Sequence, residues 1–199
     1  MVRETAPEGL KTVLAAALEV QAFLVSRGRR FCLIGGLALQ RWGEQRVTRD
    51  VDVTLLCPFG EEAAAADFLL SEFAARIEGA RELALQRRVL LLRSRGGVGI
   101  DVALGGLPFE ERCVSRASDW TLSPEATLRT CSAEDLVVLK AFAGRAQDWL
   151  DVEKVLVRQR RKLDWNLVYA ELDPLVALRE TPETLERLRQ LRASVEKGS

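Results

Sequence analysis

An alternating run at positions 46–56 constrains the fold more than any other feature of this sequence. One of its faces is apolar except at Arg49, and the other face is polar from Arg46 to Thr54. The apolar face holds Val47, Val51, Val53 and Leu55, and the polar face holds Arg46, Thr48, Asp50, Asp52 and Thr54. Successive residues of a strand point to opposite faces, so this alternation predicts a half-buried strand. The chain is therefore expected to contain a sheet that carries two aspartates on one face.

A pair of glycines precedes this strand. Residues 31–34 form a short apolar run typical of a buried strand, and Gly35 and Gly36 end it. Residues 37–42 then favour a short helix that Gly43 stops. A strand, a tight glycine turn and a helix start place backbone N–H groups beside open space, where glycine lets a phosphate come close. We therefore predict that Gly35 and Gly36 bind the phosphates of a nucleotide.

The acidic residues provide the second half of this hypothesis. Asp50 and Asp52 lie two residues apart on one strand, so their side chains share a face at a spacing of about 6.5–7 Å. Two like charges there require a cation, and Mg²⁺ or Mn²⁺ prefers carboxylate and phosphate oxygens. Asp101 offers a third carboxylate from another predicted strand. Three acids on one face suit a two-metal clamp, so all three are predicted metal ligands and catalytic residues.

The remaining pattern divides the chain into two parts. Before position 131 we expect helices at 7–27 and 60–77, and a hairpin of strands 88–93 and 99–104. Ser132 and Asp135 resemble a capping box, and the sequence is helical from there onward. The expected helices are 133–142, 148–159, 165–172 and 182–195. The predicted architecture is α+β, with a small mixed sheet and helices over residues 1–130 and a C-terminal helical subdomain over 131–199.

Composition excludes several classes of function. The sequence has no histidine, which removes Ser-His-Asp hydrolases, Cys-His proteases and His-ligated zinc enzymes. Lys plus Arg equal Asp plus Glu at 29 each, which argues weakly against a protein that coats nucleic acid. The four cysteines lie far apart, and no signal peptide or window approaching a membrane span is evident. We therefore expect a reduced, cytoplasmic protein without membrane contact.

The motif as a whole resembles a known superfamily. A hydrophobic residue, Gly35-Gly36, a spacer of thirteen residues and Asp50-x-Asp52 are similar to the core motif of DNA polymerase β-like nucleotidyltransferases. Together with Gly43, the residues Arg46 and Thr48 resemble small bacterial members, including toxin nucleotidyltransferases of the AbiEii type. The stretch from Ser132 through Lys140 to Asp151 resembles the helical region of the same group. The resemblance covers about residues 30–157.

The resemblance implies a fold, a reaction and roles for residues. It implies a nucleotidyltransferase fold that moves a nucleoside monophosphate from an NTP, such as ATP, to an acceptor, with Mg²⁺ or Mn²⁺ as cofactor. Asp50, Asp52 and Asp101 would hold the metals. The nucleotide would be bound by Gly35, Gly36, Arg46, Thr48 and Lys140. Leu37 stands where many members carry Ser or Thr, which leaves backbone donors alone at that position.

Alternatives remain open for the acceptor and for several residues. The acceptor implied by the toxin group is tRNA, another RNA or a protein, with a separately encoded antitoxin as partner. An aminoglycoside-type small molecule is an alternative acceptor, and a non-catalytic nucleotide-binding or interaction protein is an alternative class. Lys140 is also compatible with a snorkelling lysine on a packed helix, and Asp148 and Asp151 with acids near a helix N-terminus. The basic run 158–162 fits a solvated helix end or an RNA contact.

Overall fold

The structure, a computed structural model, describes residues 8–44, 47–124 and 126–197. Within them the helices are α1 (Glu8–Ser26), α2 (Gly35–Trp42), α3 (Glu62–Leu70), α4 (Ala80–Arg87), α5 (Pro108–Arg116), α6 (Ala133–Ala143), α7 (Ala146–Gln159), α8 (Trp165–Arg179) and α9 (Glu183–Lys197). The strands are β1 (Phe31–Leu33), β2 (Asp50–Leu56), β3 (Ala74–Ala75), β4 (Val89–Arg93), β5 (Gly99–Gly105), β6 (Ser118–Ser123) and β7 (Ala126–Thr130). A short 3₁₀ helix, Arg160–Lys162, separates α7 from α8.

The chain divides into two compact units. The sheet unit runs to Leu37 and continues over Val47–Thr130, and the helical unit comprises Ala38–Arg46 and Cys131–Ser199. Helix α2 therefore begins in the first unit and ends in the second. The boundary near position 130 coincides with the change from strand patterns to helical patterns in the sequence.

The described strands of the sheet unit form one mixed sheet in the order β3-β4-β5-β2-β1-β7-β6. The two central strands β2 and β5 are parallel, as are β1 and β7, while the other neighbours are antiparallel. Val51, Val53, Ile100 and Val102 are fully buried in its core. Because these residues alternate with half-buried positions, one face of the central strands is apolar and the other is open to polar groups.

Helix α1 packs on this sheet. Its residues Val13, Ala17 and Val20 belong to the core cluster, and the helix contacts β2 and β7. Over Gly9–Ser26, α1 is also the one helix of the described chain that is long and apolar enough to cross a membrane. The sequence prediction that no window approaches a membrane span was wrong for this segment. The alanines and leucines of α1 raise its mean hydropathy, and the same residues pack the helix on the sheet.

The helical unit has its own core. Helix α6 packs against α7, α8 and α9, and α9 also contacts α7 and α8. Ser132 caps α6 by accepting a hydrogen bond from the Asp135 backbone N–H at 3.0 Å, as the predicted capping box implied. Helix α8 continues through Pro174, beyond the predicted end at residue 172, because Leu175 and Val176 are buried in the same core.

Local patterns missed several elements of the sheet unit. The predicted helix 60–77 consists of the shorter α3 and the two-residue strand β3, and α4 follows it. Helix α5 and the hairpin of β6 and β7 had no counterpart among the predictions. The alternation assigned to 46–56 begins as a strand only at Asp50, and Val47 is 78% exposed instead of facing the core.

Candidate active site

The register between β2 and β5 brings the predicted acids to one region of the sheet. Asp52 is the Cα partner of Asp101, and Asp50 is the partner of Gly99. Partners on neighbouring strands lie about 4.8 Å apart, with side chains on the same face. All three aspartates are half-buried, whereas the residues between them are fully buried. We call Asp50, Asp52 and Asp101 the acidic patch.

The glycine pair lies directly against Asp52. The backbone N–H of Ile34 donates to the carbonyl of Asp52 at 2.9 Å, which fixes the end of β1 beside β2. Gly35 has a φ of +57°, and a Cβ added there would lie 1.9 Å from Asp52 Oδ2. The N–H of Gly36 donates to the same oxygen at 3.4 Å. The first turn of α2 therefore holds the Asp52 carboxylate, and glycine is required for this close approach.

Thr48 supports the glycine turn from the other side. Its side chain is buried, and its hydroxyl donates to the carbonyl of Asp50 at 3.2 Å. A Cβ on Gly36 would lie 2.3 Å from the Thr48 Oγ1. Thr48 therefore positions the start of β2 against the glycine pair. Arg46, the other residue predicted on this face, lies outside the described residues.

An arginine that the sequence analysis missed lies beside the third acid. The NH1 of Arg76 is 2.7 Å from Asp101 Oδ1, and both side chains are about one-quarter to one-third exposed, at 26% and 30%. The Arg76 backbone N–H donates to Leu91 O at 2.9 Å, and Leu91 is the partner of Asp101. The guanidinium also fills the space beside Gly99, where a Cβ would meet NH1 at 2.3 Å. Gly99, two residues before Asp101, was the sequence feature that could have indicated a side chain packed against this part of β5.

The acidic patch has the oxygen donors that a hard divalent cation prefers, but its side chains are not arranged to hold one. Its donors are carboxylate oxygens on adjacent backbone positions, and Asp101 Oδ1 is buried without a hydrogen bond of acceptable geometry within the described chain. As the side chains lie, however, no three His, Cys, Asp or Glu residues of the described segments form a group able to hold a metal. The Asp101 carboxylate faces Arg76 instead. Three-ligand binding therefore requires Asp101 to leave that arginine.

Lys140 belongs to a buried network within the helical unit. Its Nζ lies 3.0 Å from Asp148 Oδ1 and 2.8 Å from Asp151 Oδ2, and it is 9% exposed. Arg145 Nε donates to Asp148 Oδ2 at 2.6 Å. Burial raises the pKa of Asp148, but hydrogen bonds from Arg145 and Lys140 outweigh it and hold that pKa below its ordinary value. We call Lys140, Asp148 and Asp151 the buried network; Arg145, whose side chain is 76% exposed, reaches Asp148 from the surface.

This network changes the interpretation of three predicted residues. Asp148 and Asp151 are more than acids near a helix start, because their side chains are only 2% and 0% exposed and both pair with Lys140. Lys140 is therefore better described as the partner of two buried carboxylates than as a snorkelling side chain.

Leu37, at the position where many similar proteins carry a hydroxyl, is buried in the core of the sheet unit.

The comparisons with known proteins place this geometry in a family. Residues 17–196 match the family described as "Nucleotidyl transferase AbiEii toxin, Type IV TA system". No curated protein matches the chain by sequence. Among solved structures, the antibiotic-resistance factor ANT(2'')-Ia is similar with a TM-score of 0.54 at 12% identity, over 90% of this chain and 98% of that one.

Two further structures resemble the chain less closely. An antigenic nucleotidyltransferase-like protein from Paracoccidioides brasiliensis has a TM-score of 0.49 at 17% identity, over 89% of this chain and 92% of that one. The lincosamide antibiotic adenylyltransferase LnuA has a TM-score of 0.46 at 10% identity, over 71% of this chain and 94% of that one. The mixed sheet with its flanking helices is a nucleotidyltransferase fold. With nearly its whole length matched, the chain belongs to the AbiEii nucleotidyl transferase toxin family.

Proposed function

We propose that this protein transfers a nucleoside monophosphate from an NTP to the hydroxyl or phosphate of an acceptor, with Mg²⁺ or Mn²⁺ held at the acidic patch. The observation that carries this proposal is the parallel register of β2 and β5, which places Asp52 beside Asp101 with Asp50 on the same face. Phosphoryl transfer needs positioning and charge neutralisation more than a covalent catalyst, so a chain without histidine can perform it.

The residues of the chain have distinct roles in this proposal. Asp50 and Asp52 hold the cation, which when bound neutralises the phosphate oxygens and polarises the α-phosphoryl group. Asp101 accepts the proton of the attacking hydroxyl. The bond from that oxygen to the α-phosphorus forms as the bond to the pyrophosphate oxygen breaks. Gly35 and Gly36 present the N-terminal turn of α2 to the phosphates, where backbone N–H groups favour negative charge.

Arg76 is a positioning residue in the same proposal. Its guanidinium lies 2.7 Å from Asp101 and neutralises that carboxylate while no other cation is bound there. Without it, Asp101 would lose the ion pair that the described residues give it while sharing one face of the sheet with two other carboxylates. Release of Asp101 from Arg76 is the side-chain movement that completes a three-carboxylate site.

Lys140 and the acceptor are further parts of the proposal. Lys140 is assigned to a nucleotide phosphate in this proposal, and two of its three N–H donors are used by Asp148 and Asp151. The proposed acceptor is tRNA, another RNA or a protein. The match to a toxin family of type IV toxin–antitoxin systems supports an antitoxin as partner. An aminoglycoside-type acceptor and a non-catalytic nucleotide-binding role are the alternatives that the experiment must distinguish.

The test is label transfer from α-³²P-labelled NTPs with Mg²⁺ or Mn²⁺, supplied in turn with bulk tRNA, with an aminoglycoside and with the protein alone. We expect label on one acceptor, and a loss of about 10²–10³-fold in rate for Asp50→Ala, as for removal of one group that stabilises transition-state charge. Asp67→Ala, which removes an exposed acid of the same unit, is the matched control. Label on the protein itself would identify self-modification.

The same assay separates the enzyme from a binding module. Unchanged labelling by Asp50→Ala would refute the assignment of the acidic patch. Absence of transfer from every NTP, together with thermal stabilisation by an NTP, would identify a non-catalytic nucleotide-binding protein. Metal-dependent stabilisation that disappears in Asp50→Ala supports the proposed binding site independently of turnover.

A further inference from the structure

The helical unit contains a cavity of about 790 Å³ that the candidate active site does not use. It is lined by the C-terminal end of α7, the 3₁₀ helix, the start of α8 and the end of α9. Its cationic residues are Arg158, Arg160, Arg161, Lys162 and Arg192, and its one acidic lining residue is Glu196. We call this the basic cavity. The full chain has zero net charge, so the positive charge is a local concentration.

Three of these cations have no intramolecular role. Arg160, Arg161 and Lys162 are exposed, and within the described residues their side chains form no ion pair or hydrogen bond. The other two are engaged. Arg158 donates to the carbonyl of Gly43, and Arg192 donates to Glu196 Oε1 at 2.8 Å. The consecutive residues 160–162 therefore hold positive charge that the fold itself does not neutralise.

The surface beside these cations does not resemble a protein-binding surface. The Trp165 ring is covered by the Arg192 guanidinium at 4.4 Å and by the Tyr169 ring at 5.6 Å. Protein interfaces usually need exposed aromatic or aliphatic anchors at their centre. The lining here is partly apolar, through Leu156, Val195 and the half-buried Trp165, but among the described residues the side chains without intramolecular partners are the guanidinium and ammonium groups of residues 160–162. Nucleic-acid interfaces have this polar and strongly positive character.

We propose that the basic cavity binds the phosphodiester backbone of a nucleic-acid strand, with Arg160, Arg161 and Lys162 as the phosphate contacts. Guanidinium groups form bidentate hydrogen bonds to phosphate oxygens, whereas Lys162 acts as a point charge. Because the half-buried Trp165 ring is partly occupied by Arg192 and Tyr169, recognition rests on the backbone more than on base stacking. This proposal rests on the proposed function. If both hold, the acceptor is a nucleic acid and not a protein or a drug, and the helical unit binds it.

The test is fluorescence anisotropy with labelled single-stranded RNA, single-stranded DNA and tRNA, without NTP or divalent metal, over a range of salt concentrations. The variant Arg160→Gln/Arg161→Gln/Lys162→Gln removes the three free charges at exposed positions. We expect the slope of log Kd against log salt to fall by about 2 to 3, because each lost phosphate contact removes about one unit or slightly less. Tighter binding of RNA than DNA would add recognition of the sugar to that of the phosphate.

The matched control is Arg27→Gln/Arg87→Gln/Arg93→Gln, which removes the same charge from exposed positions of the sheet unit. Equal weakening by both triple variants, equal binding of polyglutamate at the same salt, or no binding of any strand would overturn the proposal. RNA binding by Asp50→Ala without transfer by the wild type would leave the basic cavity standing while the proposed function fails. Transfer to RNA that the cavity variant leaves unchanged would reject the cavity while the function stands.

Discussion

In the helical unit, Asp148 and Asp151 are almost wholly buried and both are paired with Lys140. In the sheet unit, the acids of the acidic patch are half-buried, and the Arg76 guanidinium beside Asp101 leaves its buried Oδ1 without a hydrogen bond of acceptable geometry among the described residues. The acids of the first cluster lie on one helix, α7, whereas those of the acidic patch lie on the neighbouring strands β2 and β5. They differ in how deeply the carboxylates are buried and in the ion pairs that the described residues provide.

This difference distinguishes acids that maintain a fold from acids that we propose to bind a cation. A buried carboxylate without a partner is strongly destabilising, so the buried network is complete by necessity. An acidic patch that solvent reaches can tolerate incomplete neutralisation, and it gains the most from an added cation. The following four variants test this distinction, in order of decreasing expected effect.

The largest effect is expected from Lys140→Met. This change leaves Asp148 and Asp151 buried without their shared cation, which is expected to lower the free energy of unfolding by about 3–5 kcal/mol. Urea denaturation measures the loss. Lys154→Met is the control, because Lys154 is 33% exposed and pairs with an exposed Glu44 at 3.6 Å. If both variants lose the same small amount, the buried network does not stabilise the helical unit.

Gly35→Ala should perturb the acidic patch directly. The φ of +57° disfavours alanine by about 1–2 kcal/mol, and the new Cβ must displace the Asp52 carboxylate. We expect lower stability and weaker metal-dependent stabilisation by NTP in thermal shift assays. Gly97→Ala has a similar positive φ of +82° but open space around its Cβ. A metal response equally impaired in both variants would show that backbone strain alone, and not contact with Asp52, causes the effect.

A smaller, pH-dependent effect is expected at Asp148. Because its pKa is lowered in the folded state, its contribution to stability is complete above the unfolded value of about 3.9 and is lost as pH falls through the folded value. Urea denaturation of the wild type and Asp148→Asn between pH 3 and 7 measures this contribution. The wild type should be more stable at neutral pH, and its advantage should shrink below pH 4. An advantage that stays constant with pH would contradict the assigned pairing.

The smallest effect is expected from Arg76→Gln. The ion pair with Asp101 is partly exposed, so its loss should cost at most about 1 kcal/mol in metal-free buffer. Added Mg²⁺ should then stabilise this variant more than the wild type, because nothing competes for Asp101. Arg81→Gln, which breaks an exposed pair with Asp67, should show no such gain. Equal Mg²⁺ responses in all three proteins would remove Arg76 from the site.

Local patterning predicted the fold where each element buries a regular face. The strands around Val51, Val53 and Ile100 follow from alternation, and the four C-terminal helices follow from helical spacing and the Ser132 cap. Elements with mixed patterns escaped prediction. Helix α4 buries only two alanines, and the two-residue strand β3 is exposed at both positions, so neither has a periodic apolar signal.

The candidate site was predictable as a set of acids and glycines but not as a set of contacts. Spacing alone places Asp50 and Asp52 on one face. Their relation to Asp101 depends on parallel pairing of β2 and β5, which no local pattern specifies. Arg76 reaches Asp101 only through the register of β3, β4 and β5, and Gly99 becomes informative once that register is known.

The parallel pairing of β2 and β5 also determines when the acidic patch can exist. Asp52 and Asp101 are neighbours in space but 49 positions apart in the chain, and α3, β3, α4 and β4 lie between them. To pair these strands, the chain must first lose the entropy of closing the loop between them, before any contact is gained. This pairing is therefore a slow step of folding. A nascent chain that has not yet extended through β5 therefore contains only part of the patch, and the complete set of three aspartates assembles late in the maturation of the sheet unit.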